Sequence, residues 1–270
     1  MGATTPGQRH KRNPNFDKLT DKEPEKELTI PLKKSGGRAS SGKISVRGKG
    51  GGEKRKYRKI NFGQKKKGVT GEVKALEYDP NRTAFIALVE YEDDDKCYLL
   101  ATQDMKEGDE VICAEEAPLE SGNRMKLKNI PPGNMVHNIE LQPGRGGKLV
   151  RSAGSAAKVL AQEGKYTHLE MPSTEIRKVL KECYASVGEV SNQEHRYVKS
   201  GKAGRSRHQG KRPTTRGTAK NPVDHPHGGG EGRTGVGIKH PKTPWGKIAH
   251  GKKTRNRNHT DKYIIKRRNE

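Results

Sequence analysis

The stretch Asn221-Pro222-Val223-Asp224-His225-Pro226-His227-Gly228-Gly229-Gly230-Glu231-Gly232-Arg233 gathers two imidazoles, two carboxylates and three consecutive glycines within 13 residues. Such residues can bind a metal or exchange protons, since histidine titrates near neutrality and is a common zinc ligand. Their spacing argues against both. His225 and His227 are separated only by Pro226 and no cysteine lies near, whereas structural zinc needs further ligands in regular spacing. The other chemistry is recognition of a polyanion. Gly228, Gly229 and Gly230 let the backbone approach a crowded partner, with amide N–H groups and Arg233 facing phosphates. Asp224 then fixes a histidine tautomer or accepts from a ribose 2′-OH or a base amine, which suits RNA. A loop built only for its own fold is the plain alternative. A run this unusual, in a segment with almost no core, is better explained by contact with a partner.

A second cluster, Arg47 to Lys59, interleaves Arg47, Lys49, Lys54, Arg55 and Arg58 with Gly48, Gly50, Gly51 and Gly52. Charge runs are commonly solvated faces. Solubility does not require this glycine spacing, which lets cations track a curved phosphate backbone. Arg82, in the turn Asp79-Pro80-Asn81-Arg82, and Arg151, at the close of an expected strand, read from pattern alone as surface charges. No nucleophile lies in a recognisable elbow, and no glycine run forms a Walker-type phosphate loop. Nothing requires an enzyme.

The elements that hold these residues separate by charge. Residues 1–60 carry 17 Lys/Arg against 6 Asp/Glu and residues 201–270 carry 19 against 4, while residues 61–200 carry 20 against 22. Cationic ends on a nearly neutral middle suit a polyanion, because each neutralised phosphate releases counterions. Residues 33–59 hold little that is apolar beyond Ala39, Ile44, Val46 and Tyr57, too little to offset about 1–2 kcal/mol of ordering entropy per residue. Both arms are therefore expected to be extended or disordered until a partner orders them. Twelve aromatics are few for stacking successive bases of a single strand, which leaves folded RNA or duplex. Cys97, Cys113 and Cys183 form no C-x-x-C pair and no leader precedes them, which favours a reducing, bacterial-type cytoplasm. No apolar run reaches membrane-spanning length.

The middle reads as short strands divided by turn chemistry. Gly71–Asp79, Thr83–Tyr91, Lys96–Ala101 and Asp109–Ala114 suggest one small barrel. Asn134–Leu141, Lys148–Ser152, Ala157–Gln162, Tyr166–Met171, Glu175–Leu180 and Ala185–Val190 suggest a second. No helical period of useful length is found, so helix-based DNA readers lose support.

Many of these stretches closely resemble the bacterial form of the ribosomal large-subunit protein two family. They are residues 31–38, Arg47 to Phe62, Glu77 to Arg82, Ile130 to Glu140, Arg151-Ser152-Ala153-Gly154, Gly201-Lys202-Ala203-Gly204, Pro213 to Arg233 and the tail from Thr243-Pro244-Trp245-Gly246 to Arg255. The resemblance implies a mainly β fold: a basic N-terminal extension (1–60), an OB-fold barrel (61–124), an SH3-like barrel (125–200) and a basic Gly-rich C-terminal extension (201–270). It implies binding to large-subunit rRNA near the peptidyl transferase centre, with roles in assembly, subunit joining and tRNA placement. Neighbouring ribosomal proteins and the small subunit are the other implied partners, with the chain a monomer within the ribosome and no membrane contact. By motif position Arg82 and Arg151 correspond to the family's rRNA-contacting arginines, and Lys202 and Arg216 lie in matched basic stretches. His225 corresponds to a histidine proposed to matter for peptidyl transfer. A lone imidazole without a positioned substrate is a poor case for catalysis, so no catalytic residue is assigned. No cofactor or protein-held metal is implied, and any Mg2+ would come with the rRNA. Glu53 departs from the family's usual His and places a carboxylate beside expected phosphates. The rival readings are a histidine- or zinc-dependent RNA-modifying enzyme using Asp224, His225 and His227, and a non-specific DNA-condensing protein, for which a folded acidic middle has no use.

Overall fold

The run Ile86-Ala87-Leu88-Val89 has no polar member, and a strand of that make-up needs cover on both faces. The computed structural model, which describes residues 4–268, supplies it from two directions. Ala87, Val89 and Tyr91 join Val73, Leu99, Met105 and Val111 in one buried cluster. Ile86 and Leu88 pack with Ala75 and Tyr98, and with Leu28 and Ile60 from the basic N-terminal stretch. Part of the expected arm is thus core cover.

In chain order the strands are β1 (Thr29–Pro31), β2 (Lys56–Arg58), β3 (Thr70–Glu77), β4 (Ile86–Tyr91), β5 (Lys96–Leu100), β6 (Glu110–Ile112), β7 (Arg124–Lys126), β8 (Met135–His137), β9 (Ala157–Glu163), β10 (Tyr166–Glu170), β11 (Ile176–Leu180), β12 (Tyr184–Val187) and β13 (Ile264–Lys266). β1 and β2 pair as a ribbon, and β5-β4-β3-β6 form an antiparallel sheet. Residues two apart in a strand face the same side. A bulge between Val73 and Ala75 breaks that rule in β3, sending Val73 to one cluster and Ala75 to the other.

The second sheet runs β13-β11-β10-β9-β8-β12-β7. It encloses Met125, Leu127, Ile130, Val136, Ile139, Val159, Leu169, Val179 and Val187. Two expected strands are cut short by backbone that a ladder cannot accommodate. Asn134–Leu141 contracts to β8 because Asn138 has φ 47, and Lys148–Ser152 reduces to a single bridge, Leu149 to Ile139, because Val150 has φ 53. The helices α1 (Pro6–Arg9) and α2 (Ala203–His208) bury nothing. No helix among the described residues is long and apolar enough to cross a membrane.

The chain divides into two compact units. The first takes Lys54–Ala203 with the stretches up to Lys33 and from Thr260, and so contains both sheets. The second combines Lys34–Glu53 with Gly204–His259. Its two segments are tied by Gly50 N–H to Gly210 C=O (2.7 Å), Glu53 N–H to His208 C=O (2.7 Å) and Arg212 N–H to Gly48 C=O (2.8 Å). Among its described residues only Gly37 and His225 are buried, so backbone pairing holds it in place of an apolar core.

Candidate nucleic-acid interface

Arg82 and Arg151, which lie in different barrels by sequence, converge on one side chain. Their guanidinium carbons stand 5.6 and 4.4 Å from the centre of the Phe62 ring, within reach of cation–π attraction. Phe62 is fixed through its carbonyl, which accepts from Gly147 N–H (3.0 Å) and Asn138 Nδ2 (3.2 Å). Asn138 in turn donates its backbone N–H to Val150 C=O at 2.8 Å. That bond helps hold Val150 at positive φ, a conformation a β-branched residue seldom adopts, immediately before Arg151.

Arg82 is not the surface charge that pattern suggested. Its side chain is 14% exposed, and Nε pairs at 2.5 Å with the fully buried Asp79 carboxylate. Asp79 also accepts from Asn81 N–H at 2.8 Å, forming an Asx turn, and Asn81 Nδ2 donates to Lys56 C=O at 2.7 Å. Arg151 is exposed and Nη1 donates to Gly147 C=O at 3.4 Å. Phe62 thus seats one largely covered arginine, held by Asp79, beside one exposed arginine that follows the strained Val150.

The loop of the second unit is organised around its histidines. His225 is buried and its Nδ1 accepts His227 N–H at 3.1 Å, while His227 Nε2 accepts Lys242 N–H at 2.8 Å. Each imidazole therefore offers its other ring nitrogen as an N–H donor when neutral. Burial lowers the His225 pKa, reinforced by His227, Lys220 and Arg47, which favours the neutral ring. The nitrogens used are those a metal would need, and no three His, Cys, Asp or Glu among the described residues gather as a metal site. The glycines have an intramolecular reason. A Cβ at Gly228 would lie 2.3 Å from Asn221 O, at Gly229 2.8 Å from Pro222 Cγ, and at Gly230 2.3 Å from Thr234 Cγ2. Their freedom first lets the loop close on itself, leaving Asp224 and Arg233 exposed on its outside.

The remaining candidates fall into two groups. Arg47, Lys49, Lys54, Lys202 and Arg216 lie toward solvent, and the backbone of Lys49 is bridged to that of Lys211. Arg55 instead donates Nη1 to Pro80 C=O at 2.8 Å, and Arg58 is buried, donating Nη1 to Lys56 C=O at 3.2 Å. Its charge faces Glu77: burial raises that carboxyl's pKa, opposed by the Tyr98 hydroxyl and by Arg58. Glu53 does not stand free beside Lys54, since its Oε2 lies 3.3 Å from His208 Nδ1.

Two family models match the chain. Ribosomal Proteins L2, RNA binding N-terminal domain, matches residues 25–113, and Ribosomal Proteins L2, C-terminal domain, matches residues 120–246. The chain belongs to the ribosomal protein L2 family. The first match spans β1 to β6 with Arg82, and the second spans β7 to β12 with Arg151 and the His225 loop. The fold is accordingly mainly β, an OB-fold barrel followed by an SH3-like barrel, in an RNA-binding protein of the large ribosomal subunit. Sequence reasoning missed Phe62 as the common seat of the two arginines. A lone aromatic after a basic run is its only signal. It also missed Arg124, whose fully buried guanidinium reaches Glu140 Oε1 at 3.1 Å and Asn138 C=O at 2.7 Å.

Proposed function

We propose that this L2-family chain is a non-enzymatic architectural protein of the cytoplasmic ribosome that organises large-subunit rRNA around the peptidyl transferase centre. It supports assembly, association with the small subunit and packing against neighbouring ribosomal proteins. Residues 61–124 and 125–200 act as docking barrels, and 1–60 and 201–270 as cationic extensions. The observation that supports this reading is the convergence of Arg82 and Arg151 on Phe62, a preset pair of guanidiniums of the chemistry that pairs with phosphate. The second unit adds charge: 19 Lys/Arg against 3 Asp/Glu, net +16 of the chain's +24. Phosphate neutralisation supplies affinity there, while shape fixes register on the barrels. Asp224, the His225 and His227 N–H groups, Gly228, Gly229, Gly230 and Arg233 form the RNA-facing loop. His225 acts through geometry, not proton transfer. The protein needs no cofactor of its own, and Mg2+ belongs to the RNA.

The test is affinity of the full chain for large-subunit rRNA against an unrelated structured RNA of equal length, across a salt series. Arg82→Ala/Arg151→Ala should lose discrimination. Neutralising Lys239, Lys242, Lys247 and Lys252 to Gln should leave discrimination and flatten the salt slope by up to about 0.7–0.9 for each phosphate no longer neutralised. Equal affinity of the wild type for both RNAs at every salt would defeat the reading.

A further inference from the structure

Trp245 is the only tryptophan of the chain and is 76% exposed, against the ordinary tendency of an indole to bury most of its surface. It sits at the tip of a built hairpin. Ala249 N–H donates to Pro241 C=O (2.8 Å), Thr243 N–H to Lys247 C=O (2.7 Å) and Gly246 N–H to Thr243 C=O (2.9 Å), with Lys242 and Ile248 bridged across the stem. Lys247 N–H also donates to Thr243 Oγ1 at 3.2 Å. Pro244 precedes the indole and Gly246, at φ +80, follows it, so the tip is tight and the ring stands exposed on it. The stem is anchored by the bond from Lys242 N–H to His227, which ties the hairpin to the histidine loop.

The surroundings select the partner. From Gly232 to Thr260 the sequence has eight Lys/Arg and no Asp or Glu. A membrane-surface anchor would place its aromatic on the apolar face of an amphipathic helix, and this segment is a hairpin with a single aromatic tip. A cationic stem bearing one exposed indole matches a phosphate backbone with one base turned out of its stack. We propose that Trp245 is a stacking residue for one unpaired nucleobase of RNA, its stem lysines lying along the flanking phosphates. This rests on the rRNA-binding reading above and adds a base contact to a protein otherwise built for phosphate and shape.

As the sole tryptophan, Trp245 reports on itself. The full chain is titrated with transcribed large-subunit rRNA, with heparin as a polyanion without bases, and with phosphatidylglycerol vesicles. The expected result is quenching by rRNA and none by heparin. Trp245→Ala should bind rRNA roughly 5- to 100-fold more weakly and Trp245→Phe should lose less. The salt slope should stay unchanged in both, since no charge is removed. Unaltered emission while rRNA still binds, equal quenching by heparin, or a blue shift with vesicles alone would each overturn the inference. If unrelated RNA quenches as rRNA does and binds equally well, the ribosomal reading fails and the stacking stands.

Discussion

Arg124 and Glu140 are 0% and 2% exposed, and burial pulls the arginine's pKa down against the neighbouring carboxylate. A pair so placed is seldom a net source of stability, yet breaking it is costly because one charge is left without water. Arg124→Met should destabilise the full chain by about 3–5 kcal/mol in urea unfolding. The usual remedy of removing both charges should fail here. Glu140 also accepts from the N–H groups of Gly144 (3.2 Å), Gly146 (3.0 Å) and Tyr184 (3.2 Å). Arg124→Met/Glu140→Leu would strand the buried Gly146 and Tyr184 amides at about 1–3 kcal/mol each, while water can reach the exposed Gly144. Wild-type stability in the double variant would refute this account. At this scale the sequence was least readable. Arg124 and Arg58 look like any other cations of a basic chain, and only the strands that close over them make them internal. Arg82 and Arg151 were singled out by resemblance, and their shared seat depends on Phe62 being pinned by residues 76 and 85 positions downstream.

Among the elements, legibility followed locality. β3, β4, β5, β9, β10 and β11 lie on runs whose apolar pattern and turn residues mark them directly, and each forms where expected within a few positions. β1, β2, β7 and β13 are three-residue strands whose existence depends on a distant partner, and no local pattern announces them. β13 is the clearest case. It covers the outer edge of β11, pairing Lys266 with Ile176 and Ile264 with Arg177, while Tyr263 meets Tyr166 with ring centres 6.4 Å apart. An open strand edge invites further pairing, and this one is closed by the chain's own tail. Ending the chain before Thr260 should cost about 1–3 kcal/mol through the missing ladder bonds. It should speed amide exchange across Ile176–Leu180 and leave β3 and β4 unchanged. Unaltered exchange in β11 would show that β13 adds nothing.

At the scale of the whole molecule, charge along the sequence is cationic toward both ends and near neutral between them, and the two compact units do not follow those divisions. Both basic ends contribute to each unit, because Leu28 and Ile60 are apolar enough to cover the first barrel while residues 34–53 are not. The second unit buries only Gly37 and His225 among its described residues, so its backbone bonds stand open to water. Amides of residues 204–259 should exchange rapidly in the free protein and gain about 100-fold protection at rRNA concentrations near 100 times Kd. Strong protection without RNA would contradict that picture. The same unit also constrains the order of events during synthesis. Lys34–Glu53 must find Gly204–His259, and 150 residues separate the two segments. At roughly 5–20 residues per second the ribosome making this chain leaves the first segment waiting about 8–30 s for its counterpart. For that interval a glycine-rich, cationic strip is outside the exit tunnel with no protein partner to close on, and the nearest RNA surface is that of the ribosome translating it.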